Sequence, residues 1–236
     1  MQEYFVEQPL REGDVIELPK DKAHHAFDVL HLDHETIRLV SGGIGYFADA
    51  YQEGRTGFAR VLKQDPAVNE LQTSLTLCMA LIRREKFELV LQKAAELGVS
   101  RIVPFVSSRC VAKDREEKAE KVAARRRAIL LGAAEQCKRN KVPELMPTCS
   151  LQSLGTYRSK LNLAAYEKAG EQASRLSDLL PAESVSVVIG PEGGFSEAEI
   201  DVLSRDGFLP VSLGNRILRA ETAAYYVCSV IGELCR

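Results

Sequence analysis

The chain has 236 residues, of which 45% are hydrophobic and 27% are charged, and its formal net charge is −2 at pH 7. This composition excludes an intrinsically disordered chain, and the length allows one large domain or two smaller ones with a substantial core. A transmembrane helix is not expected, because no apolar run approaches the roughly 20 residues that such a helix needs.

Acidic and basic residues are concentrated in different parts of the chain. Residues 1–70 hold 7 basic and 13 acidic residues, whereas residues 109–141 hold 11 basic and 5 acidic residues. A chain that is almost neutral overall can therefore still offer a basic surface to a phosphate backbone. A solvated helix of mixed charge is the alternative explanation for the basic segment.

The first 70 residues predict a small β-rich domain. DVIEL (14–18), TIRLV (36–40) and FARVL (58–62) have strand composition. SGGIG (41–45) predicts a hairpin turn, and KAHHAFDVL (22–30) predicts a short helix. The polar segment 63–74 contains Pro66 and predicts a linker.

Strands and helices alternate from residue 71 to residue 236. The predicted strands are 75–82, 101–106, 161–167, 185–190 and 210–213, and the predicted helices are 85–99, 114–139, 196–207 and 219–235. This alternation predicts an α/β domain with a mostly parallel sheet. The domain boundaries that follow are 1–70 and 71–236.

Three loops follow predicted strands of the second domain, namely AAYEKAG (164–170), GPEGGFS (190–196) and GNRILR (214–219). Ligands of open α/β sheets bind beyond the carboxyl ends of the strands. GPEGG carries Glu192 but lacks the lysine of a phosphate-binding loop, and Glu167 and Glu221 add further carboxylates. We therefore expect an acidic pocket that suits a neutral or cationic ligand, such as S-adenosylmethionine, better than a polyphosphate, with ordinary strand-to-helix turns as the alternative. Ser196 and Glu199 predict a capping box at the start of a helix.

Several longer segments carry a family resemblance. They are HHAFDVL (24–30), RREKFELVLQKAAELGVSRIVPF (83–105), SSRC (107–110), AAEQCKRNKVPEL (133–145), GPEGGFSEAEI (190–200) and VSLGNRILRAETAA (211–224). In this order they resemble the 16S ribosomal RNA uridine-N3 methyltransferase family, which belongs to the SPOUT superfamily. The resemblance covers nearly the whole chain.

The resemblance implies an architecture and an activity. A PUA-like RNA-binding β-barrel over 1–70 would precede an α/β SPOUT methyltransferase domain over 71–236 with a C-terminal trefoil knot. The cofactor would be S-adenosylmethionine, and the protein would be a homodimer. The substrate would be N3 of a uridine in the decoding region of 16S ribosomal RNA, within the assembled small subunit.

The same resemblance assigns residues. The cofactor-binding residues would be Ala165, Tyr166, Gly190, Glu192, Gly193, Gly194, Leu213, Gly214, Ile217 and Leu218. From their positions in or beside these loops, we further hypothesise that Arg219 or Arg139 stabilises negative charge on the uracil, and that Glu221 or Glu192 orients the site or takes the N3 proton. Basic residues expected to contact RNA phosphates are Arg83, Arg84, Lys86, Arg109, Arg125, Arg126, Lys138 and Arg139. A structural ion pair is the alternative explanation for Arg219 and Glu221.

No metal, disulfide, signal peptide or membrane partner is expected. The six cysteines are scattered without a CxxC pair, which is typical of reduced thiols in the cytoplasm. The N-terminal residues lack the basic and apolar regions of a signal peptide.

Three other functions compete with this interpretation. The first is a SPOUT methyltransferase that acts on another RNA or on a ribose 2′-hydroxyl. The second is a non-enzymatic RNA-binding protein of the ribosome, which intact GPEGG and LGNRILRAET loops disfavour. The third is an enzyme of nucleotide phosphates, which the missing phosphate-loop lysine disfavours.

Overall fold

The computed structural model describes residues 1–111, 119–170 and 174–235. The chain divides into two compact units. Unit 1 comprises Met1–Glu70 and Ala134–Lys141, and unit 2 comprises Leu71–Ala133 and Val142–Arg236. The division after Glu70 lies inside the segment 63–74 that the sequence predicts as a linker. The second segment of unit 1 is the end of a basic helix and the turn after it, which has no counterpart in the predicted boundaries.

Unit 1 is built on a five-stranded sheet in which all neighbouring strands except β1 and β3 are antiparallel. Its strands are β1 (Glu3–Phe5), β2 (Val15–Glu17), β3 (Glu35–Ser41), β4 (Ile44–Glu53) and β5 (Thr56–Asp65), in the order β1-β3-β4-β5-β2. The predicted hairpin turn is confirmed between β3 and β4, where Gly42 and Gly43 adopt φ of 57° and 84°. The short helix predicted for 22–30 is formed by α1 (Lys20–Ala23) and a π-helical turn over His24–Val29.

Unit 2 contains a seven-stranded sheet in which every pairing is parallel. Its strands are β6 (Ser74–Ala80), β7 (Arg101–Val106), β8 (Glu144–Leu145), β9 (Cys149–Ser150), β10 (Leu161–Ala165), β11 (Ser184–Ile189) and β12 (Leu209–Val211). The order is β12-β10-β11-β6-β7-β8, and β9 also pairs with β7. The predicted α/β class with a mostly parallel sheet is confirmed.

Helices connect these strands. They are α2 (Arg84–Glu96), α3 (Ala119–Gln136), α4 (Leu176–Leu179), α5 (Glu197–Arg205) and α6 (Ala220–Leu234), together with a 3₁₀ turn over Leu151–Tyr157. Helix α2 buries Phe87, Val90 and Leu91 because these side chains recur at helical spacing on one face. It ends before Gly98, whose φ of 85° places a left-handed residue where a Cβ would be strained.

The long helix predicted for 114–139 is only partly described. Residues 112–118 lie outside the described part of the chain, and α3 ends at Gln136. The predicted end at 139 is wrong by three residues, because Lys138 adopts φ of 66° and the Arg139 N–H donates to the carbonyl oxygen of Ala134 at 3.0 Å.

Each unit has its own apolar core. In unit 1 the fully buried side chains include Tyr4, Ile37 and Leu39. In unit 2 strand β6 is buried along almost its entire length, as expected for a central strand covered on both faces. The core of unit 2 continues through β7, β10 and β11 to helices α2 and α6.

Candidate active site

Three loops of unit 2 meet at one edge of its sheet. They follow β10, β11 and β12, which are neighbours in the order β12-β10-β11. Because these strands are parallel, their carboxyl ends lie at the same edge. Together the loops and the start of α6 line a cavity of about 650 Å³.

All ten residues that the sequence predicts to bind a cofactor line this cavity. They are Ala165, Tyr166, Gly190, Glu192, Gly193, Gly194, Leu213, Gly214, Ile217 and Leu218. The other lining residues are Glu167, Gly170, Arg175, Ile189, Pro191, Phe195, Ser212, Asn215, Arg216, Ala220 and Ala223. The structure thus brings the residues of all three predicted loops into one concave site.

The glycine loop after β11 has little room for side chains. A Cβ on Gly190 would lie 3.0 Å from the Phe195 ring, and a Cβ on Gly194 would lie 2.9 Å from Glu167 Oε1. Gly194 also has φ of 65°, a left-handed conformation that favours glycine. Backbone atoms are therefore brought close to the cavity where other residues would introduce side chains.

The glycine loop leads directly into α5 through the predicted capping box, which is confirmed. Ser196 Oγ accepts from the Glu199 N–H at 3.3 Å, and Glu199 Oε2 accepts from the Ser196 N–H at 2.9 Å. Glu199 Oε1 also accepts from the Ser108 N–H at 2.8 Å. Burial alone would raise the pKa of Glu199, but these hydrogen bonds from Ser196 and Ser108 hold it below its ordinary value. The carboxylate therefore fixes the end of the loop.

The charge of the cavity differs from the prediction. Glu167 and Glu192 line it, but so do Arg175 and Arg216, so the expectation of an acidic pocket is wrong for the described lining. The sequence could have indicated Arg216, which lies in the predicted loop GNRILR. It carried no signal for Arg175, which reaches the cavity from the chain between β10 and β11.

Glu221 is not among the lining residues. Its Oε1 accepts from Lys86 Nζ at 2.9 Å, while its Oε2 is buried without a hydrogen-bond partner in the described chain. Burial alone would raise the pKa of Glu221, but the hydrogen bonds and positive charges around the carboxylate, above all those of the Lys86 ammonium, together outweigh burial. The pKa of Glu221 is therefore below its ordinary value. The ion pair holds the start of α6 against α2.

The two arginines with predicted catalytic roles lie in different units. Arg219 is exposed and immediately precedes α6, where its carbonyl oxygen accepts from the Ala223 N–H at 2.8 Å. Arg139 belongs to unit 1, is 3% exposed, and donates through Nη2 to Glu70 Oε2 at 2.5 Å. Neither is a lining residue of the cavity, and their catalytic roles remain predictions.

Several residues predicted to bind RNA have intramolecular partners. Glu88 accepts from Arg84 at 2.8 Å and from Arg125 at 2.6 and 2.8 Å. The Arg125 hydrogen bond and then that of Arg84 outweigh burial and lower the pKa of Glu88 to about 2. The Arg126 guanidinium lies 4.6 Å from the centre of the Phe87 ring.

The remaining members of that set also contact their own chain. Arg83 precedes α2, and its N–H donates to Glu192 Oε1 at 3.4 Å. Arg109 donates to the carbonyl oxygen of Gly193 in the glycine loop at 3.0 Å. Lys138 Nζ donates to the Glu135 carbonyl oxygen at 3.2 Å. These basic residues therefore stabilise contacts between helices and loops of their own chain, and their RNA-binding role remains a prediction.

No helix of the described chain is long and apolar enough to cross a membrane. Across residues 1–111, 119–170 and 174–235, no three histidine, cysteine or acidic side chains form a group that could hold a metal ion.

Comparison with known proteins places this site in a family. Residues 69–232 match the family described as RNA methyltransferase domain. Ribosomal RNA small subunit methyltransferase E of Bacillus subtilis is 30% identical over 98% of this chain and 96% of its own length.

Solved structures agree over the whole chain. Ribosomal RNA small subunit methyltransferase E of Neisseria gonorrhoeae, bound to S-adenosylmethionine, superimposes with a TM-score of 0.90 at 29% identity, covering 99% of this chain and 98% of that one. A methyltransferase of Legionella pneumophila with bound S-adenosylmethionine gives a TM-score of 0.88 at 32% identity, covering 98% of this chain and 96% of that one. This chain therefore belongs to the RNA methyltransferase family and, within it, to the ribosomal RNA small subunit methyltransferase E group.

Proposed function

We propose that this protein transfers a methyl group from S-adenosylmethionine to N3 of one uridine in the decoding region of 16S ribosomal RNA, in the assembled small subunit. The observation that supports this most is the convergence of three loops on one cavity of about 650 Å³ at the carboxyl edge of the sheet. Two relatives with the same fold hold S-adenosylmethionine, and one of them is named for small-subunit ribosomal RNA.

The residues of the cavity fit this cofactor chemically. The glycine loop offers backbone groups for a nucleobase, and Ile189, Leu213 and Leu218 offer apolar contacts. Glu167 and Glu192 suit positive charge, while Arg175 and Arg216 suit a carboxylate, so the mixed charge of the lining matches a zwitterionic ligand. When bound, S-adenosylmethionine supplies a methyl group on a positively charged sulfur.

The protein has two tasks toward the uracil. It has to hold the base with N3 facing the cavity, and such positioning contributes roughly 7–11 kcal/mol in favourable cases. It also has to accommodate the loss of the N3 proton. We assign stabilisation of the resulting negative charge to Arg219, which stands at the start of the same helix as the lining residues Ala220 and Ala223, with Arg139 as the second candidate.

Of the two carboxylates, Glu192 is the better candidate to receive the proton or orient the base, because it lines the cavity. Glu221 is paired with Lys86, and its lowered pKa makes it a weak base. We therefore assign Glu221 to orientation of Lys86 and of the start of α6.

The finer architecture belongs to the same proposal. We infer that unit 1 is a PUA-like RNA-binding barrel, that the loops after β10, β11 and β12 form a trefoil knot, and that the protein is a cytoplasmic homodimer. The five-stranded sheet of unit 1 and the family relationship support these inferences. The basic residues predicted to contact RNA would exchange some of their intramolecular partners for phosphates, which should make RNA binding depend on salt.

The decisive experiment combines cofactor binding with mapping of the product. The purified protein is incubated with labelled S-adenosylmethionine and either under-methylated small subunits or naked 16S RNA, and the modified nucleoside is located by mass spectrometry. N3-methyluridine in the subunits alone is the expected result. A methyl group found on a ribose or on another RNA would contradict the proposed substrate. Absence of cofactor binding would refute the proposed enzymatic activity.

A further inference from the structure

Arg109 belongs to a short turn that follows β7, and two hydrogen bonds between Ser107 and Cys110 hold this turn together. The Cys110 N–H donates to the Ser107 carbonyl oxygen at 3.2 Å, and the Ser107 N–H donates to Cys110 Sγ at 3.3 Å. Cys110 and Ser107 are buried, whereas the Arg109 side chain is exposed. The turn is therefore a fixed support from which one arginine extends.

The guanidinium of Arg109 is directed at backbone atoms of the glycine loop. Nη1 donates to the Gly193 carbonyl oxygen at 3.0 Å and to the Phe195 carbonyl oxygen at 3.4 Å. The aliphatic part of the Arg109 side chain also lies close to the loop, because a Cβ on Gly193 would be only 3.2 Å from Arg109 Cβ. One side chain thus holds two carbonyl groups on either side of Gly194.

The same turn is also attached to the first turn of α5, which directly follows the loop. The Ser108 N–H donates to Glu199, the carboxylate that completes the capping box of α5. The Phe195 ring stacks on Phe105 of β7 with 6.5 Å between ring centres. The segment from Gly193 to Glu199 therefore contacts β7 and the turn after it at three points, and Arg109 supplies the contact nearest to the cavity-lining glycines.

We propose that Arg109 is a positioning residue for the cofactor loop, in place of the RNA-contact role that the sequence suggests; this proposal rests on the proposed function. An arginine suits this task because its planar fork can donate two hydrogen bonds from one fixed nitrogen, whereas a lysine ammonium on a flexible stem orders its acceptors less well. Its loss should loosen the loop that carries Gly193 and Gly194 and thereby weaken cofactor binding.

Arg158 provides a matched control. It is also exposed, and it donates to backbone carbonyl oxygens near the other end of α5, through Nη1 to Asp206 at 3.3 Å and through Nε to Gly155 at 3.2 Å. Arg158→Ala removes the same kind of contact from the same unit, but away from the glycine loop.

The test measures S-adenosylmethionine binding by calorimetry and 16S RNA binding as a function of salt, for wild type, Arg109→Ala, Arg109→Lys and Arg158→Ala. Arg109→Ala should raise the cofactor Kd roughly tenfold, which is what the loss of one or two charge-assisted hydrogen bonds at an exposed site produces. Arg109→Lys should fall between it and wild type, and Arg158→Ala should bind the cofactor as wild type does. The salt slope of RNA binding should stay unchanged in all three.

Two results would overturn the proposal. Cofactor affinity of Arg109→Ala within twofold of wild type would do so, and a simultaneous fall of about 0.7 in the salt slope would make Arg109 a phosphate contact instead. If Arg158→Ala weakened cofactor binding as much as Arg109→Ala does, the loss of affinity would be explained by a general loss of stability, and Arg109 would have no specific role. Failure of the wild-type protein to bind S-adenosylmethionine is a different result, which refutes the proposed function before Arg109 is tested.

Discussion

At the scale of single residues, Gly194 shows how the glycine loop keeps its shape. Its φ of 65° lies in the left-handed region, and its α-carbon faces the Glu167 carboxylate. A side chain at this position has to overcome both the backbone preference and the neighbouring oxygen at 2.9 Å from the Cβ position. The carboxylate can move, but the backbone preference cannot be relieved without changing the loop.

Gly194→Ala should therefore weaken cofactor binding more than it weakens the fold. The left-handed conformation costs an alanine roughly 1–2 kcal/mol, and the loop can relieve this strain by leaving its cofactor-binding shape. We expect a rise of about tenfold in the S-adenosylmethionine Kd with a drop of only a few degrees in Tm. Calorimetry and thermal melting measure the two effects, and an unchanged Kd would show that the loop tolerates a Cβ here.

At the scale of elements, helices α2 and α3 are joined by one carboxylate. Glu88 of α2 accepts from Arg84 within the same helix and twice from Arg125 of α3. Its side chain is only 19% exposed, and its pKa falls to about 2 from an ordinary value near 4.5. The lowered pKa means that the folded protein favours the ionised carboxylate more than the unfolded chain does.

This difference gives Glu88 a defined pH dependence. Its contribution to stability is present above pH 4.5 and is lost as the pH falls from 4.5 toward 2. Glu88→Gln should lower the free energy of unfolding by about 0.5–1 kcal/mol at pH 7, since its arginine partners are largely exposed and screened. Urea titrations at pH 7 and pH 3 should show the two proteins converging at the lower pH. A constant gap would mean that packing of the side chain, and not its charge, is responsible.

Helix α3 contains a glycine that its structure does not require. Gly132 lies within Ala119–Gln136, and nothing lies within 4 Å of the position that a Cβ would take. Gly132→Ala should stabilise the protein by about 0.5–1 kcal/mol, because glycine loses more backbone entropy in a helix. The reverse change at exposed Ala128 is the control and should destabilise to a similar extent. Thermal melting of both variants shows whether each substitution raises or lowers Tm.

The elements that the sequence predicts are those with enough residues to display a pattern. Strand β6 reads as an apolar run and α2 as an amphipathic stretch, and both occur close to their predicted bounds. Strands β8 and β9 have two residues each and owe their existence to pairing with β7, so their local sequence carries no period. The predicted end of α3 lies three residues beyond the observed one, because nothing in the sequence indicates that Lys138 adopts a left-handed conformation.

At the scale of the whole molecule, the site is predictable to the extent that it is built from contiguous loops. The three loops at strand ends were identified because a parallel sheet places such ends at one edge. Residues that other segments of the chain contribute, and ion pairs between distant residues, are not predictable in this way. Arg175 enters the cavity from another segment, and the basic residues Arg84 and Arg125 turn out to share Glu88. Pairings of this kind depend on tertiary packing, which a single sequence does not reveal.

The two units have separate cores, which leads to a prediction about the whole chain. Ile37 is fully buried in the core of unit 1, whereas the cavity-lining residues all belong to unit 2. Ile37→Ala should cost roughly 2–5 kcal/mol and Ile37→Val roughly 0.5–1.5 kcal/mol, since the removed methyl groups leave a cavity. Amide hydrogen exchange should accelerate in β3, β4 and β5 while the S-adenosylmethionine Kd stays within twofold of wild type, because local opening follows the core that is damaged. Equal acceleration in β6, β10 and β11, with a matching loss of cofactor affinity, would instead show that the two cores unfold as one cooperative structure.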